Sequence, residues 1–135
     1  MASGLRFPKP EPRRRVKARM AREESAVARQ VRADVAWRDG YCRVSGQGRA
    51  VEIQDERVGQ IASCAGPSEW CHWGPFRRAL TRKRDPESRH LVSGSLMLCK
   101  AHHDGYDGKI GGQKMRIEAL TKAGTDGPLR FKEVT

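Results

Sequence analysis

The segment "LCKAHHDGYDG" at residues 98–108 gathers side chains that bind metal ions. It holds Cys99, the adjacent His102 and His103, and two aspartates. Two residues separate Cys99 from His102, a spacing at which one tight turn can direct a thiolate and an imidazole at the same zinc ion. The segment therefore predicts half of a zinc site whose other ligands lie upstream. The alternative is an ordinary polar start of a helix.

Three further cysteines lie upstream and could complete this site. Cys42, in "DGYCRVSG", is placed like the first half of a zinc knuckle in which Ser45 replaces the second cysteine. Because serine is a poor zinc ligand, the fourth ligand should be Cys64 or Cys71. The alternative is that the cysteines are small buried side chains without a metal. We expect one structural zinc ion bound by Cys42, Cys64, Cys99 and His102. Cys71 is the alternative to Cys64 as the fourth ligand.

His103 and Asp107 form a second pattern, four residues apart. On a helix this spacing places both side chains on one face, where an imidazole and a carboxylate could hold Mg²⁺, Mn²⁺ or Zn²⁺. Neighbouring residues of a helix point about 100° apart, so His102 and His103 should face two different ions. The alternative is an exposed helix with no ion.

The charge of the chain predicts a polyanionic partner. It has 27 Lys and Arg against 16 Asp and Glu, a net charge of +11, which favours nucleic acid over a membrane surface or simple solvation of the helix. Residues 1–33 hold ten basic and three acidic residues, so +7 lies in this arm. The second basic stretch is residues 77–89. The expected phosphate contacts are Arg13, Arg14, Arg15, Lys17, Arg77, Arg78, Arg82, Lys83 and Arg84.

Hydropathy and cysteine usage bear on location. The sequence has no run of eighteen apolar residues and no signal-peptide pattern, so we expect a cytosolic chain without membrane contact. In that compartment four cysteines are typical of metal ligands or free thiols rather than disulfides.

The secondary-structure pattern predicts an α+β fold. Residues 13–37 lack Gly and Pro and carry a thin apolar stripe of Val16, Met20, Val27, Val31 and Val35, which predicts a helix that Asp39-Gly40 ends. Residues 1–12 should be extended or disordered. The expected strands are 50–53, 69–73 and 96–99, the last being either a strand or a buried turn. A helix opened by "HHDGYDG" and a closing hairpin of 114–120 and 128–134 should follow. We divide the chain into a basic arm, 1–37, and a domain, 38–135.

Three segments together resemble the HNH, or ββα-metal, endonuclease family: "RDGYCRVSG" (38–46), "EWCHW" (69–73) and "LMLCKAHHDGYDG" (96–108). The chain also resembles small HNH proteins encoded in phage genomes, which carry a similar basic N-terminal arm. The resemblance implies a hairpin and a helix that grip one divalent ion, Mg²⁺, Mn²⁺, Ni²⁺ or Zn²⁺. It implies His72 as the general base that activates water, His103 and Asp107 as ligands of the ion, and Cys71 at a further ligand position.

The function that follows is metal-dependent hydrolysis of phosphodiester bonds in duplex DNA, in a bacterial host if the gene belongs to a phage. The middle Asn of the family falls near Gly94 or Ser95, so His90, Ser93 or a backbone carbonyl would have to orient the base. A second hypothesis is a zinc-stabilised protein of the same fold that binds nucleic acid without cutting it. A third is a basic protein that binds another protein in a virion or nucleoprotein complex.

Overall fold

In the computed structural model of the chain, residues 12–49, 53–76, 90–109 and 111–134 are described. The expected extended segment lies almost entirely outside these ranges, and so do three of the four residues of the strand expected at 50–53. The second basic stretch, 77–89, also lies outside them. The expected phosphate contacts that fall there are Arg77, Arg78, Arg82, Lys83 and Arg84.

Helix α1, Arg13–Asp39, is the longest element. It begins after Pro12 and ends at Gly40, whose φ of +72° suits glycine better than any other residue. The expected helix is confirmed, and it runs two residues past 37, so the division between 37 and 38 falls inside α1. Val35 is fully buried and Val31 half-buried, so among the described valines of the stripe the deepest burial is near the C-terminal end of the helix. No helix in the described ranges is both long enough and apolar enough to cross a membrane.

Strands β2, Ser68–His72, and β3, Ser95–Cys99, pair antiparallel, and helix α2, Lys100–Asp107, follows β3 without a break. Every residue of β3 is buried. Both strands and the helix were expected, each within two residues of its observed ends. Because β3 runs directly into α2, the end of the strand and the first turn of the helix present their side chains at one place.

A second sheet is formed by the closing hairpin and one short strand. Strands β4, Met115–Ala119, and β5, Leu129–Glu133, pair antiparallel as expected. Strand β1, Glu56–Val58, pairs parallel with β5, which was not expected. The fold is thus mixed α+β, with a two-stranded and a three-stranded sheet.

One hydrophobic cluster joins both sheets to α2. It includes Leu96 and Leu98 of β3, Tyr106 of α2 and Phe131 of β5, all buried. Three of the four cysteines, Cys42, Cys71 and Cys99, belong to the same cluster. Three of the candidate metal ligands are therefore anchored in the core.

A buried network of charges fixes the end of α1. Asp39 accepts hydrogen bonds from the guanidinium of Arg38 at 2.7 and 2.9 Å and from the backbone N–H of Met97 at 2.9 Å. Arg43 pairs with Asp55 at 2.8 Å and with Asp39 at 3.3 Å. Burial alone would lower the pKa of Arg38, but hydrogen bonds and charges, chiefly those of Asp39, raise it overall. The network therefore holds the chain that leads into Cys42.

Candidate metal centres

Four donor atoms from separate parts of the chain meet beside the start of α2. Cys42 follows α1, Cys64 lies in the loop between β1 and β2, Cys99 ends β3, and His102 is in the first turn of α2. The donor atoms lie within 4.8 Å of one another. Cys42, Cys99 and His102 are buried, while Cys64 is on the exposed side. This is the set expected for the structural zinc.

The distances in this group fit one tetrahedral ion. The Nδ1 atom of His102 lies 3.1 Å from the sulfur of Cys99, 3.4 Å from that of Cys42 and 3.7 Å from that of Cys64. A tetrahedron with zinc–sulfur bonds of about 2.3 Å and zinc–nitrogen bonds of about 2.0 Å has nitrogen–sulfur edges of about 3.5 Å. Three thiols and one imidazole also match the softness of zinc. The group could thus hold a metal such as zinc.

The surroundings select the nitrogen of His102 that faces the sulfurs. Its Nε2 lies 2.6 Å from the carbonyl oxygen of Ala62, so Nε2–H donates there and Nδ1 carries the lone pair. The N–H groups of Lys100 and Ala101 donate to Pro67 and Ala65, which fastens the loop of Cys64 to α2. Ser45, at the position of the missing knuckle cysteine, instead donates to the carbonyl of Cys42 at 2.6 Å.

The thiol of Cys64 disfavours its charged form when no cation is close. Partial burial, and then the neighbouring sulfurs of Cys42 and Cys99, raise the pKa of the Cys64 thiol to about 12. A divalent cation reverses this effect because it stabilises the thiolates that the low-dielectric surroundings penalise. A bound cation would therefore lower the pKa of the Cys64 thiol.

A second group combines one sulfur, one imidazole and one carboxylate. Cys71 of β2 and His103 and Asp107 of α2 place their donor atoms within 4.8 Å of one another. Nε2 of His103 lies 3.1 Å from Oδ2 of Asp107. Cys71 is 2% exposed, while the side chains of His103 and Asp107 are 17% and 31% exposed. The group is therefore anchored at the sulfur and reachable by solvent at the carboxylate.

Glu69 contacts a member of this group and was missed by sequence reasoning. Its Oε1 lies 2.9 Å from Nδ1 of His103, the ring nitrogen opposite the one that meets Asp107. Glu69 and Cys71 are two residues apart on β2 and so share one face of the strand. That alternation was the signal in the sequence. A carboxylate on the far nitrogen is the usual way to fix the ring of a metal-binding histidine.

His72, the expected general base, belongs to neither group. Strand alternation directs it to the face opposite Glu69 and Cys71. Its Nε2 lies 2.9 Å from Nδ1 of His90, and its ring centroid is 4.5 Å from that of Trp70. His90, one of the residues considered as a partner for the base, thus contacts it. The catalytic role of His72 remains a prediction.

The described part of the expected phosphate-binding set lies on α1, and every member is exposed. These residues are Arg13, Arg14, Arg15 and Lys17.

Comparison with known proteins gives no relative. The chain matches no family model, no curated protein and no solved structure. Function is therefore inferred from the two donor groups, from the element order around them and from the charge of the chain.

Proposed function

We propose that this protein is a metal-dependent endonuclease of the ββα-metal type that hydrolyses phosphodiester bonds in DNA. The observation that carries the proposal is the group of Cys71, His103 and Asp107. It offers three donors, fewer than a closed structural site, and it opens to solvent, as catalytic metal sites do. The four-donor group beside it supplies a separate place for a structural ion.

The order of elements supports this reading. Strands β2 and β3 form an antiparallel pair, and α2 follows directly, which is the order that the HNH resemblance implies. The two histidines implied as base and ligand lie on β2 and α2. The net charge of +11 suits a polyanionic substrate.

His103 and Asp107 would hold the catalytic ion, with Cys71 as third ligand and Glu69 orienting the imidazole. Once bound, a divalent cation supplies positive charge that stabilises the developing charge on the phosphate and on the leaving oxygen. The thiol of Cys71 is a soft donor and favours Zn²⁺ over Mg²⁺. Mn²⁺ and Ni²⁺ are the other candidates that the set of donors allows.

His72 is the proposed general base. A neutral imidazole can accept a proton from water near pH 7, and a positioned base contributes roughly 10²- to 10⁴-fold to a hydrolytic rate. The contact with His90 restrains the His72 ring, as a base-orienting residue would. His90 thus takes the position in the mechanism for which the family uses an asparagine.

One observation favours a second function, binding of nucleic acid without cleavage. His72 and the second metal group lie on opposite faces of β2, because His72 and Cys71 are adjacent in a strand. If the β2 strand keeps this alternation in the complex with DNA, the imidazole does not reach a water beside the ion. The zinc-stabilised fold would then serve only to present basic residues.

Plasmid cleavage separates the two functions. Purified protein is incubated with supercoiled plasmid and Mg²⁺, Mn²⁺, Ni²⁺ or Zn²⁺ in turn. We expect nicked or linear product with at least one ion, loss of product in His103→Ala and Asp107→Ala, and a loss in His72→Ala that leaves DNA affinity intact. Asp104→Ala is the matched control, since Asp104 lies on the same helix outside both groups. If the wild-type protein cuts with none of these ions, the binding function replaces the nuclease.

A further inference from the structure

The exposed side of α1 carries a row of three arginines. Val31 marks the side of the helix that turns to the core. Arg15, Arg22 and Arg29 lie seven residues apart, and each points about 160–200° away from Val31. All three are exposed. From Arg15 to Arg29 the row spans about 21 Å at 1.5 Å per residue.

Two exposed acidic side chains of α1, those of Glu23 and Asp34, lie away from this row. Glu23 and Asp34 point within about 80° of the direction of Val31. Arg19 pairs with Glu23 at 4.0 Å along the edge between the two sides. The outer side is therefore cationic along its length, which complements a row of phosphates.

Near the C-terminal end of the helix, Trp37 presents an exposed aromatic ring at the edge of the outer side, about 40–80° around the helix from the arginine row. It lies 18 residues, five full turns, after Arg19, so both point in one direction. Its side chain is 63% exposed, the most exposed large apolar residue in the described ranges. The guanidinium of Arg49 lies 4.7 Å from the ring centroid, and its Nη1 donates to the carbonyl of Trp37 at 3.2 Å.

We propose that the outer side of α1 is a docking surface for DNA that contains unpaired bases. Arg15, Arg22 and Arg29 would follow the phosphates, and Trp37, backed by Arg49, would stack on one unpaired base. Stacking on an aromatic ring is tolerant of sequence but needs a base whose face is not covered by neighbours in a duplex. The choice of DNA as the partner rests on the proposed function. The docking surface narrows the substrate to single-stranded, gapped or branched DNA.

Binding of labelled oligonucleotides tests the role of Trp37. Fluorescence anisotropy is measured on the full chain without added Mg²⁺ or Mn²⁺, with a 20-nucleotide single strand and a blunt duplex of the same sequence. We expect Trp37→Ala to bind the single strand about fivefold more weakly or worse, since loss of stacking on one base weakens binding by at least about this factor. Its affinity for the blunt duplex should change less than twofold, and Trp37→Phe should restore most of the loss.

Two double variants with equal loss of charge test the row. Arg22→Gln with Arg29→Gln removes two cations from the outer side, and Arg116→Gln with Lys122→Gln removes two exposed cations from the closing hairpin, away from α1. The slope of log affinity against log salt for the single strand should fall by roughly 0.7 per lost phosphate contact in the first variant. The second variant should keep most of the wild-type slope.

Three results would overturn this surface. One is an equal loss of affinity for single strand and duplex in Trp37→Ala, and another is equal slopes in the two double variants. The third is light scattering that shows a wild-type dimer which Trp37→Ala converts to a monomer, since Trp37 would then contact a second copy. None of these measurements requires cleavage, so failure of the plasmid assay and failure of this surface are distinguishable.

Discussion

Glu69 and Asp107 flank one imidazole, that of His103, from its two nitrogens, at 2.9 and 3.1 Å. With an ion bound, only one nitrogen can be a ligand, and the other needs an acceptor for its proton. Asp107 lies on the Nε2 side of the ring, and Cys71 belongs to the same group. Glu69 is therefore the residue that orients the ring and keeps it electron-rich.

Glu69→Gln should weaken binding of the second ion about 10- to 100-fold, the usual effect of losing a carboxylate behind a metal-binding histidine. The affinity is measured by competition with a chromophoric chelator on protein whose four-donor group is already loaded with zinc. Glu56→Gln, at an exposed carboxylate that pairs with Arg130, is the control and should bind as the wild type does. Equal affinity in Glu69→Gln and Glu56→Gln would remove Glu69 from the site.

The same substitution at two cysteines should have different effects. Cys64→Ser removes a ligand of the four-donor group, so it should release the structural ion and lower the melting temperature. Metal binding to such a group contributes folding free energy of about 10 kcal/mol in favourable cases. Cys71→Ser should leave the melting of the zinc-loaded protein within a few degrees and lower the zinc affinity of the second group. Elemental analysis beside thermal melting checks both, and identical losses in the two variants would contradict separate groups.

Short-range spacing was sufficient to predict part of each site. The pairs Cys99–His102 and His103–Asp107 are local to one strand end and one helix, so their residue spacing fixes their direction. The choice between Cys64 and Cys71 was not decidable from the sequence, because it depends on how the loop before β2 folds over α2. Glu69 was missed because its contact with His103 joins β2 to α2 and no short spacing in the sequence links the two residues. Its place two residues before Cys71 on the same strand was the available signal.

At the scale of elements, α1 is joined to β3 through charges and not through apolar side chains alone. Asp39 is fully buried and accepts hydrogen bonds from Arg38, Arg43 and the backbone of Met97. Arg38, Asp39 and Arg43 belong to the "RDGYCRVSG" segment that carried part of the family resemblance. Their role in the structure is to position the segment that contains Cys42.

Asp39→Asn should destabilise the protein by about 3–5 kcal/mol, because it leaves two buried guanidinium groups with too little negative charge. Urea unfolding monitored by circular dichroism measures the change. Asp34→Asn, at an exposed carboxylate of the same helix that accepts from Gln30 at 3.0 Å, should cost less than 1 kcal/mol. A loss below about 1 kcal/mol in Asp39→Asn would mean that the network does not hold α1 in place.

Elements with strong local patterns were predictable, and elements made by distant contacts were not. The helix over Arg13–Asp39 and the closing hairpin β4–β5 follow from residue type and alternation. Strand β1 has three residues, all exposed, and forms only by parallel pairing with β5 more than seventy residues later. The three residues "ERV" contain no pattern that predicts this pairing. Strand alternation places His72 and Cys71 on opposite faces of β2. The roles that the family resemblance implies for the two residues do not take this alternation into account.

At the scale of the whole molecule, the charge of the chain should govern its affinity for DNA. If six phosphates are contacted on duplex DNA, log affinity should fall with log salt at a slope of roughly −5. Deletion of residues 1–33 should flatten this slope, because it removes the exposed basic residues of α1 and keeps Val35, the buried contact of the helix. Deletion of residues 1–11 is the control and should leave most of the slope. A slope near zero, or one that the longer deletion does not change, would exclude the arm from the DNA contact.

Most of the function proposed for this molecule depends on two ions held by adjacent residues. A helix turns by about 100° per residue, so His102 and His103 cannot easily serve one ion but can each serve a different one. This division explains why "HHDGYDG" has two neighbouring histidines with different partners. The ion of the four-donor group would stabilise the fold, and the ion of the second group would take part in hydrolysis.

Native mass spectrometry of zinc-loaded protein tests this division most directly. We predict two zinc ions on the wild-type chain. His103→Ala should keep one ion and its wild-type charge-state distribution, because only the second group is lost. His102→Ala should lose the ion of the four-donor group and shift to the higher charge states of an unfolded chain. A wild-type chain that binds a single ion, or two variants that lose the same ion, would contradict the account.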